Sequence, residues 1–226
     1  MGGIVVLGAG GRAGRAVTAE ALGRGLDVTA VVREPDRYPA LGKEGATVVR
    51  GDVTDAESVR AVAVGHRAAV HAVSPFSGPE QGFDSLDPEF FVKAADALLD
   101  GLAKAGVRRL VVVGLFANLL GADGRPLMDD PAVFPPEIRP FALAHTAGLR
   151  RLREAGEGGF VDWVMLTPGG GLEEGAPRTG RYRLGDERVP EGGSVVSYAD
   201  LAVAVVDEIR TPTRHRRRVS VVRAER

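Results

Sequence analysis

Runs of aliphatic and β-branched residues recur at regular intervals along the chain, at 4–7, 28–32, 46–49, 68–73, 109–114 and 162–167. Each is continuous rather than alternating, the pattern of a strand buried on both faces of a parallel sheet. Helix-like stretches separate them, and a strand–helix alternation of this kind predicts right-handed βαβ crossovers and a three-layer α/β/α, doubly wound parallel sheet. Thr54-x-x-Glu57 reads as a capping box opening the third helix, and Asp87-Pro88 reads as an N-cap and first helical residue. The helix that follows is expected to reach Ala105 and stop at Gly106. Ser197-Tyr198-Ala199-Asp200 predicts the cap and first turn of a helix reaching Ile209, and a last strand is expected over 218–222.

The regularity fails twice. Residues 116–140 and 168–193 are rich in Gly and Pro, and long irregular segments in compact α/β proteins commonly carry function. Both follow strands, so both are expected at the carboxyl edge of the sheet as a small substrate-side region. At 226 residues the whole chain, 1–226, is expected to form one nucleotide-binding domain with a sizeable core.

The most informative stretch comes first. Ile4-Val5-Val6-Leu7 runs into Gly8-Ala9-Gly10-Gly11-Arg12-Ala13-Gly14 and then into a helical pattern. Glycines allow a tight turn and close approach of a ligand to the backbone. The helix that begins behind them offers free N–H groups and the positive end of its dipole to an anion. Two registers fit a dinucleotide fingerprint, Gly8-x-Gly10-x-x-Ala13 and Gly8-x-x-Gly11-x-x-Gly14.

Charge narrows the partners. The 29 basic and 30 acidic side chains leave a formal charge of −1, with no field favouring nucleic acid or an anionic membrane. Arg214-His215-Arg216-Arg217-Arg218 is the local exception and reads as a solvated entry to the last strand. The chain has no cysteine, which excludes disulfides, thiolate nucleophiles and cysteine-held metals, and no metal site is expected. Leu110–Leu120 is too short to span a bilayer, and no basic segment precedes the first apolar run. A cytoplasmic protein acting on a small molecule is expected, as a monomer or homodimer.

Arg33 stands after the second strand, where an NAD-preferring fold carries a carboxylate that binds the ribose 2′-hydroxyl. A guanidinium there attracts a 2′-phosphate instead, which favours NADP(H), with NAD(H) as the alternative. Arg12 and Arg37 are candidates to reinforce that pocket. Asp52 and Val53 follow the third strand and are placed to meet the adenine. Val73 and Ser74 follow the fourth, on the nicotinamide side, and Pro168 ends the sixth. His71 reads as a satisfied core histidine.

The glycine segment, Arg33, Gly51-Asp52-Val53-Thr54-Asp55 and Tyr198-Ala199-Asp200-Leu201-Ala202 together resemble the atypical short-chain dehydrogenase/reductase superfamily. The likeness is to its NAD(P)H-binding branch, whose members are described as epimerase/dehydratase-like, flavin-reductase-like or nitrogen-metabolite-regulator-like. The resemblance spans essentially the whole chain and implies a Rossmann fold. It also implies a Tyr-x-x-x-Lys pair on the helix after strand five, where Tyr supplies a proton and a Ser or Thr polarises the carbonyl. The matching segment here is Phe141-Ala142-Leu143-Ala144-His145, which keeps the spacing and loses both groups. Asn118 falls where the serine would stand and can donate a hydrogen bond, and His145 has a suitable intrinsic pKa to supply a proton. The loss of the acid disfavours reduction of an isolated ketone. Two readings follow: an NADPH-dependent reductase of a conjugated, quinone or flavin-like acceptor, with Asn118 and His145 as its catalytic candidates, or a non-catalytic NADP(H) redox sensor.

Overall fold

The computed structural model describes residues 2–75, 86–155, 158–190 and 195–224. Its strands are β1 (Ile4–Leu7), β2 (Val28–Val32), β3 (Thr47–Arg50), β4 (Ala68–His71), β5 (Arg109–Val113), β6 (Asp162–Pro168), β7 (Leu172–Glu173), β8 (Tyr182–Leu184), β9 (Val196–Ser197) and β10 (Arg217–Arg223). The helices are α1 (Arg12–Gly23), α2 (Pro39–Lys43), α3 (Ala56–Ala63), α4 (Phe90–Ala105), α5 (Arg139–Glu154) and α6 (Tyr198–Arg210). Eight strands form one sheet in the order β3-β2-β1-β4-β5-β6-β10-β8, parallel except for β8 at the edge, and β7 pairs with β9 apart from it. The seven runs read as strands in the sequence are the seven parallel strands of this sheet.

The inner strands pack a helix layer on either face, which explains their continuous apolar runs. In β1, Ile4 and Val6 join the cluster that includes Val17 and Ala21 of α1 and Leu201 and Val205 of α6. Val5 and Leu7 join the opposite cluster, with Leu98 of α4, Leu149 of α5 and the fully buried Trp163. From β1 the chain moves outward to β2 and β3, then returns to place β4 on the other side of β1. The reversal opens a crevice at the carboxyl ends of β1 and β4, where ligands of such folds bind.

Helix boundaries depart from expectation where two capping residues compete. No capping box forms at Thr54. Asp55 caps α3 through Oδ1, which accepts from the N–H of Glu57 at 2.9 Å and of Ser58 at 3.4 Å. Thr54 instead donates from N and Oγ1 to Asp52 Oδ1, at 2.9 and 2.7 Å. Likewise α4 begins at Phe90 with Glu89 as its cap residue. Asp87 shapes the turn before it, accepting from Glu89 N at 2.9 Å and from Lys93 Nζ at 2.7 Å. The helix does end at Gly106, in the left-handed conformation (φ 76°) that glycine adopts without strain.

At the amino edge of the sheet the basic segment 214–218 is solvated in part: His215 and Arg217 are exposed, Arg214 and Arg216 are half-buried and Arg218 is buried. Arg216 Nη2 donates to the Gly159 carbonyl at 2.6 Å, and Arg218 is 5% exposed. The same edge holds a buried ion network. Arg109 reaches Glu208 at 2.7 Å and Asp162 at 2.9 Å, and Glu208 also accepts from the N–H of Thr213 at 3.0 Å and of Arg214 at 3.2 Å. Burial lowers the Arg109 pKa, and the two carboxylates oppose that shift. Removing one member of such a buried pair leaves an uncompensated charge and costs about 3–5 kcal/mol. Glu208→Ala should therefore lower the melting temperature by roughly 10 °C while leaving cofactor affinity intact, a pair of outcomes read by thermal melting and cofactor titration.

Candidate functional site

The turn after β1 is held by backbone contacts only glycine allows. Gly8 has φ +88°, and a Cβ on it would stand 2.7 Å from the Ala72 carbonyl and the Val73 nitrogen at the end of β4. A Cβ on Gly14 would run into the Gly8 carbonyl oxygen and the Ala9 Cα. The N–H groups of Gly8 and Ala9 donate to the Val31 carbonyl of β2 at 3.1 and 3.3 Å, and Gly11 N donates to Gly8 O at 3.1 Å. At Gly11, by contrast, a Cβ would meet only Gly8 O, at 3.5 Å. Packing thus requires glycine at 8 and 14 and leaves a tight fit to the Tyr38 ring at 10, while Gly11 has open space beside it. Ala13 does not take the role of the third glycine.

Gly11 caps α1 in an extended conformation, with no side-chain hydrogen bond and no acidic residue in the first turn. The first helical bond is Arg15 N to Gly11 O at 2.9 Å, so the N–H groups of Arg12, Ala13 and Gly14 have no helical acceptor. Free donors, a dipole end and an open glycine surface fit the diphosphate of a dinucleotide.

Around this turn the polar candidates separate into two groups. Arg33 is exposed and has no ion-pair partner among the described residues, while its neighbour Glu34 pairs with Arg37 at 3.2 Å. Arg12 faces the other way. Its Nη1 lies 3.2 Å from Glu174 Oε2 and its guanidinium is 5.7 Å from the Tyr198 ring centre. Arg12 and Arg37, the candidates to reinforce Arg33, are each engaged by a carboxylate at the surface. Arg15, which the sequence reading passed over, stands one helical turn beyond Gly11, and its Nε donates to the Gly10 carbonyl at 3.0 Å. The one-turn spacing was the signal available for it. Asp52 is exposed with Oδ1 committed to Thr54, and Val53 beside it is buried. Val73 is half-buried, Ser74 is exposed and Pro168 is buried at the end of β6.

On α5, Phe141 and His145 stand one turn apart and both face inward, 6% and 7% exposed. Phe91 of α4 packs on both, with ring centres 5.8 Å from Phe141 and 4.4 Å from His145, and 6.5 Å from His71 of β4. The rings of His71, Phe91 and His145 line a small apolar cavity with Val112, Leu149 and Met165. Burial, helped by the nearby Arg218 charge, pushes His145 down to about 4, and burial with the neighbouring His145 pushes His71 to about 3. His71 is a core residue as expected but not a satisfied one, because its Nδ1 has no hydrogen-bond partner. The Asn118 amide turns toward α5, donating to the Ala142 carbonyl at 2.9 Å and to Thr146 Oγ1, while its Oδ1 is buried without a partner. Arg218 Nη1 donates to the Asn118 carbonyl at 2.5 Å.

The two irregular segments are more ordered than their composition implies. Three short 3-10 turns, Phe116–Asn118, Leu127–Asp129 and Pro136–Ile138, punctuate the first, and α5 begins inside its expected span. Leu120 joins it to the second by backbone bonds, Leu120 N to Glu187 O at 3.0 Å and Val189 N to Leu120 O at 2.9 Å. Residues 191–193 of the second segment lie outside the described residues.

A switch-point crevice carrying this glycine turn defines a Rossmann-type dinucleotide-binding protein. The chain belongs to the NAD(P)H-binding family, whose profile matches residues 8–212. It is 31% identical to the uncharacterized protein YwnB of Bacillus subtilis over 226 residues, 97% of each chain. A provisionally named epimerase from Bacteroides thetaiotaomicron is 34% identical with a TM-score of 0.83, over 100% of this chain and 98% of that one. A protein of Streptococcus pneumoniae, provisionally named an NADH-flavin reductase, is 27% identical with a TM-score of 0.80, over 99% of this chain and 100% of that one. Among the described residues no helix is long and apolar enough to cross a membrane.

Two measurements test this geometry. Gly14→Ala should cost about 1–3 kcal/mol by overpacking and weaken cofactor binding, whereas Gly11→Ala should melt like the wild type and lose cofactor affinity alone. Both imidazoles bind a proton more weakly in the fold than in the unfolded chain, where histidine titrates near 6.5. Stability should be complete above about pH 6.5 and fall as the pH drops toward 4 and 3, by up to about 1.4 kcal/mol per pH unit for each histidine. Chemical denaturation across that range should show the slope, and His71→Phe should reduce it.

Proposed function

We propose that the protein is an NADPH-dependent reductase of a small conjugated acceptor, a quinone or flavin, working in the cytoplasm without a tyrosine–lysine acid. The observation that supports this reading is Phe141, which stands buried against Phe91 and has no hydroxyl; the resemblance implies that it replaces the superfamily's proton donor. In this reading chain 1–226 acts as one domain, and the segments 116–140 and 168–193 form its acceptor side. The N–H groups of Arg12, Ala13 and Gly14 hold the cofactor diphosphate against the open surface of Gly11, across the turn of Gly8 and Gly10. Arg33 takes the 2′-phosphate, since no carboxylate occupies it, and Asp52 and Val53 border the adenine. Val73, Ser74 and Pro168 border the nicotinamide, which when bound supplies the hydride.

His145 stays neutral at physiological pH, its pKa pushed down to about 4. Its ring has the Val113 backbone as a hydrogen-bond partner, and it is a poor store of a proton. Asn118 acts at one remove, tying its loop to the Ala142 carbonyl and so fixing α5. With no acid in place, an isolated ketone would form an unprotected alkoxide, whereas a conjugated acceptor delocalises the charge and takes its proton from water. Positioning alone then suffices for hydride transfer.

Loss of reduced-nicotinamide absorbance with a panel of quinones, free flavins and unconjugated ketones tests the reading. Quinones or flavins should be reduced at least about a hundredfold faster than ketones, the low end of what general acid catalysis contributes. Equal rates would remove it. No turnover with any acceptor, combined with unequal affinity for oxidised and reduced cofactor, would instead make the protein a redox sensor.

A further inference from the structure

We propose that Arg15 is a second specificity-determining arginine for the adenosine 2′-phosphate, and that Tyr38 is the positioning residue that aims it. The inference rests on the NADPH reading above and extends it to two side chains that the glycine motif does not include. After Arg33 the chain makes a short 3-10 turn, Pro35–Arg37, and brings Tyr38 back onto the glycine turn. The contact is tight, since a Cβ on Gly10 would stand 2.5 Å from the Tyr38 ring. The Arg15 guanidinium lies 5.7 Å from the centre of the same ring, and its Nε is fixed on the Gly10 carbonyl at 3.0 Å.

The hydrogen bond uses the inner nitrogen, and the ring contact sets the guanidinium over Tyr38. The terminal nitrogens have no acceptor among the described residues, and Arg15 is exposed. Gly8 and Ala9 are hydrogen-bonded to Val31, two residues before Arg33, so the glycine turn and Arg33 border one crevice. Arg37 and Arg12 are each held by a carboxylate, Glu34 and Glu174. Among the described residues, neither Arg15 nor Arg33 is paired with a carboxylate. A phosphate monoester carries enough acceptor oxygens to take the fork of both. A guanidinium restrained by an aromatic face and a carbonyl loses less freedom on binding it than a free one.

The test is the ratio of NADPH to NADH affinity, measured by titrating each into the full-length protein. Arg33→Met and Arg15→Met should each lower that ratio about tenfold or more. Arg15→Lys, which keeps the charge and loses the fork, should fall between Arg15→Met and wild type. Tyr38→Leu should lower the ratio as Arg15→Met does, and Tyr38→Phe, which retains the ring face, should restore it. A steep salt dependence of NADPH binding should flatten in the arginine variants. A ratio unchanged in Arg15→Met while Arg33→Met abolishes it would overturn this inference and leave the NADPH reading standing. A wild-type protein with no preference would remove both. Equal losses of NADH and NADPH in Tyr38→Leu, not rescued by phenylalanine, would show that Tyr38 only supports the turn.

Discussion

The start of α1 is pressed against the end of β1 with no side chain between them. Gly14 sits on the Gly8 carbonyl, Gly8 sits on the Ala72–Val73 peptide, and the three backbones meet at the point where the sheet order reverses. This contact aims the unpaired N–H groups of the helix across the crevice, and everything proposed for the site inherits its position from it. The longer side of the bargain falls on stability elsewhere. Hydrophobic clusters on both faces of the sheet and the Arg109–Glu208 network at the far edge hold the frame that keeps those glycines in contact.

The fold was largely legible because a strand covered on both faces must be continuously apolar, and six such runs became six of the seven parallel strands. The glycine turn was legible for a similar reason, since its residues are demanded by backbone distances. Local capping was harder. Thr54 and Asp55 are both N-cap residue types, and nothing in the spacing says that Asp55 caps α3 while Thr54 folds back on Asp52. In the arginine segment at 214–218 the exposed His215 and Arg217 fit a solvated entry to the last strand and Arg218 does not, because composition reports charge and not partners. Arg218 is buried between Asn118 and Glu187, a tertiary arrangement with no local signature.

The candidate site was legible unevenly. Phe141 and His145 were found from the spacing they preserve, and both lie side by side on α5 against Phe91. The sequence could not show that the Asn118 amide turns to the α5 backbone, nor that His71 and His145 share one apolar enclosure. Tyr38 and Arg15 were missed because their meeting depends on how the chain returns after β2. Arg12 was read toward the adenosine end, but its ion pair draws it to the opposite loop.

The backbone pairing of Leu120 with Glu187 and Val189 has an evolutionary consequence. The two carboxyl-edge segments share hydrogen bonds, and Arg218 reaches both through the Asn118 carbonyl and the Glu187 carboxylate. Changes in one segment will be epistatic with changes in the other. Divergence of ligand range in such a lineage should then proceed by paired replacement of both stretches, with the glycine crevice inherited unaltered.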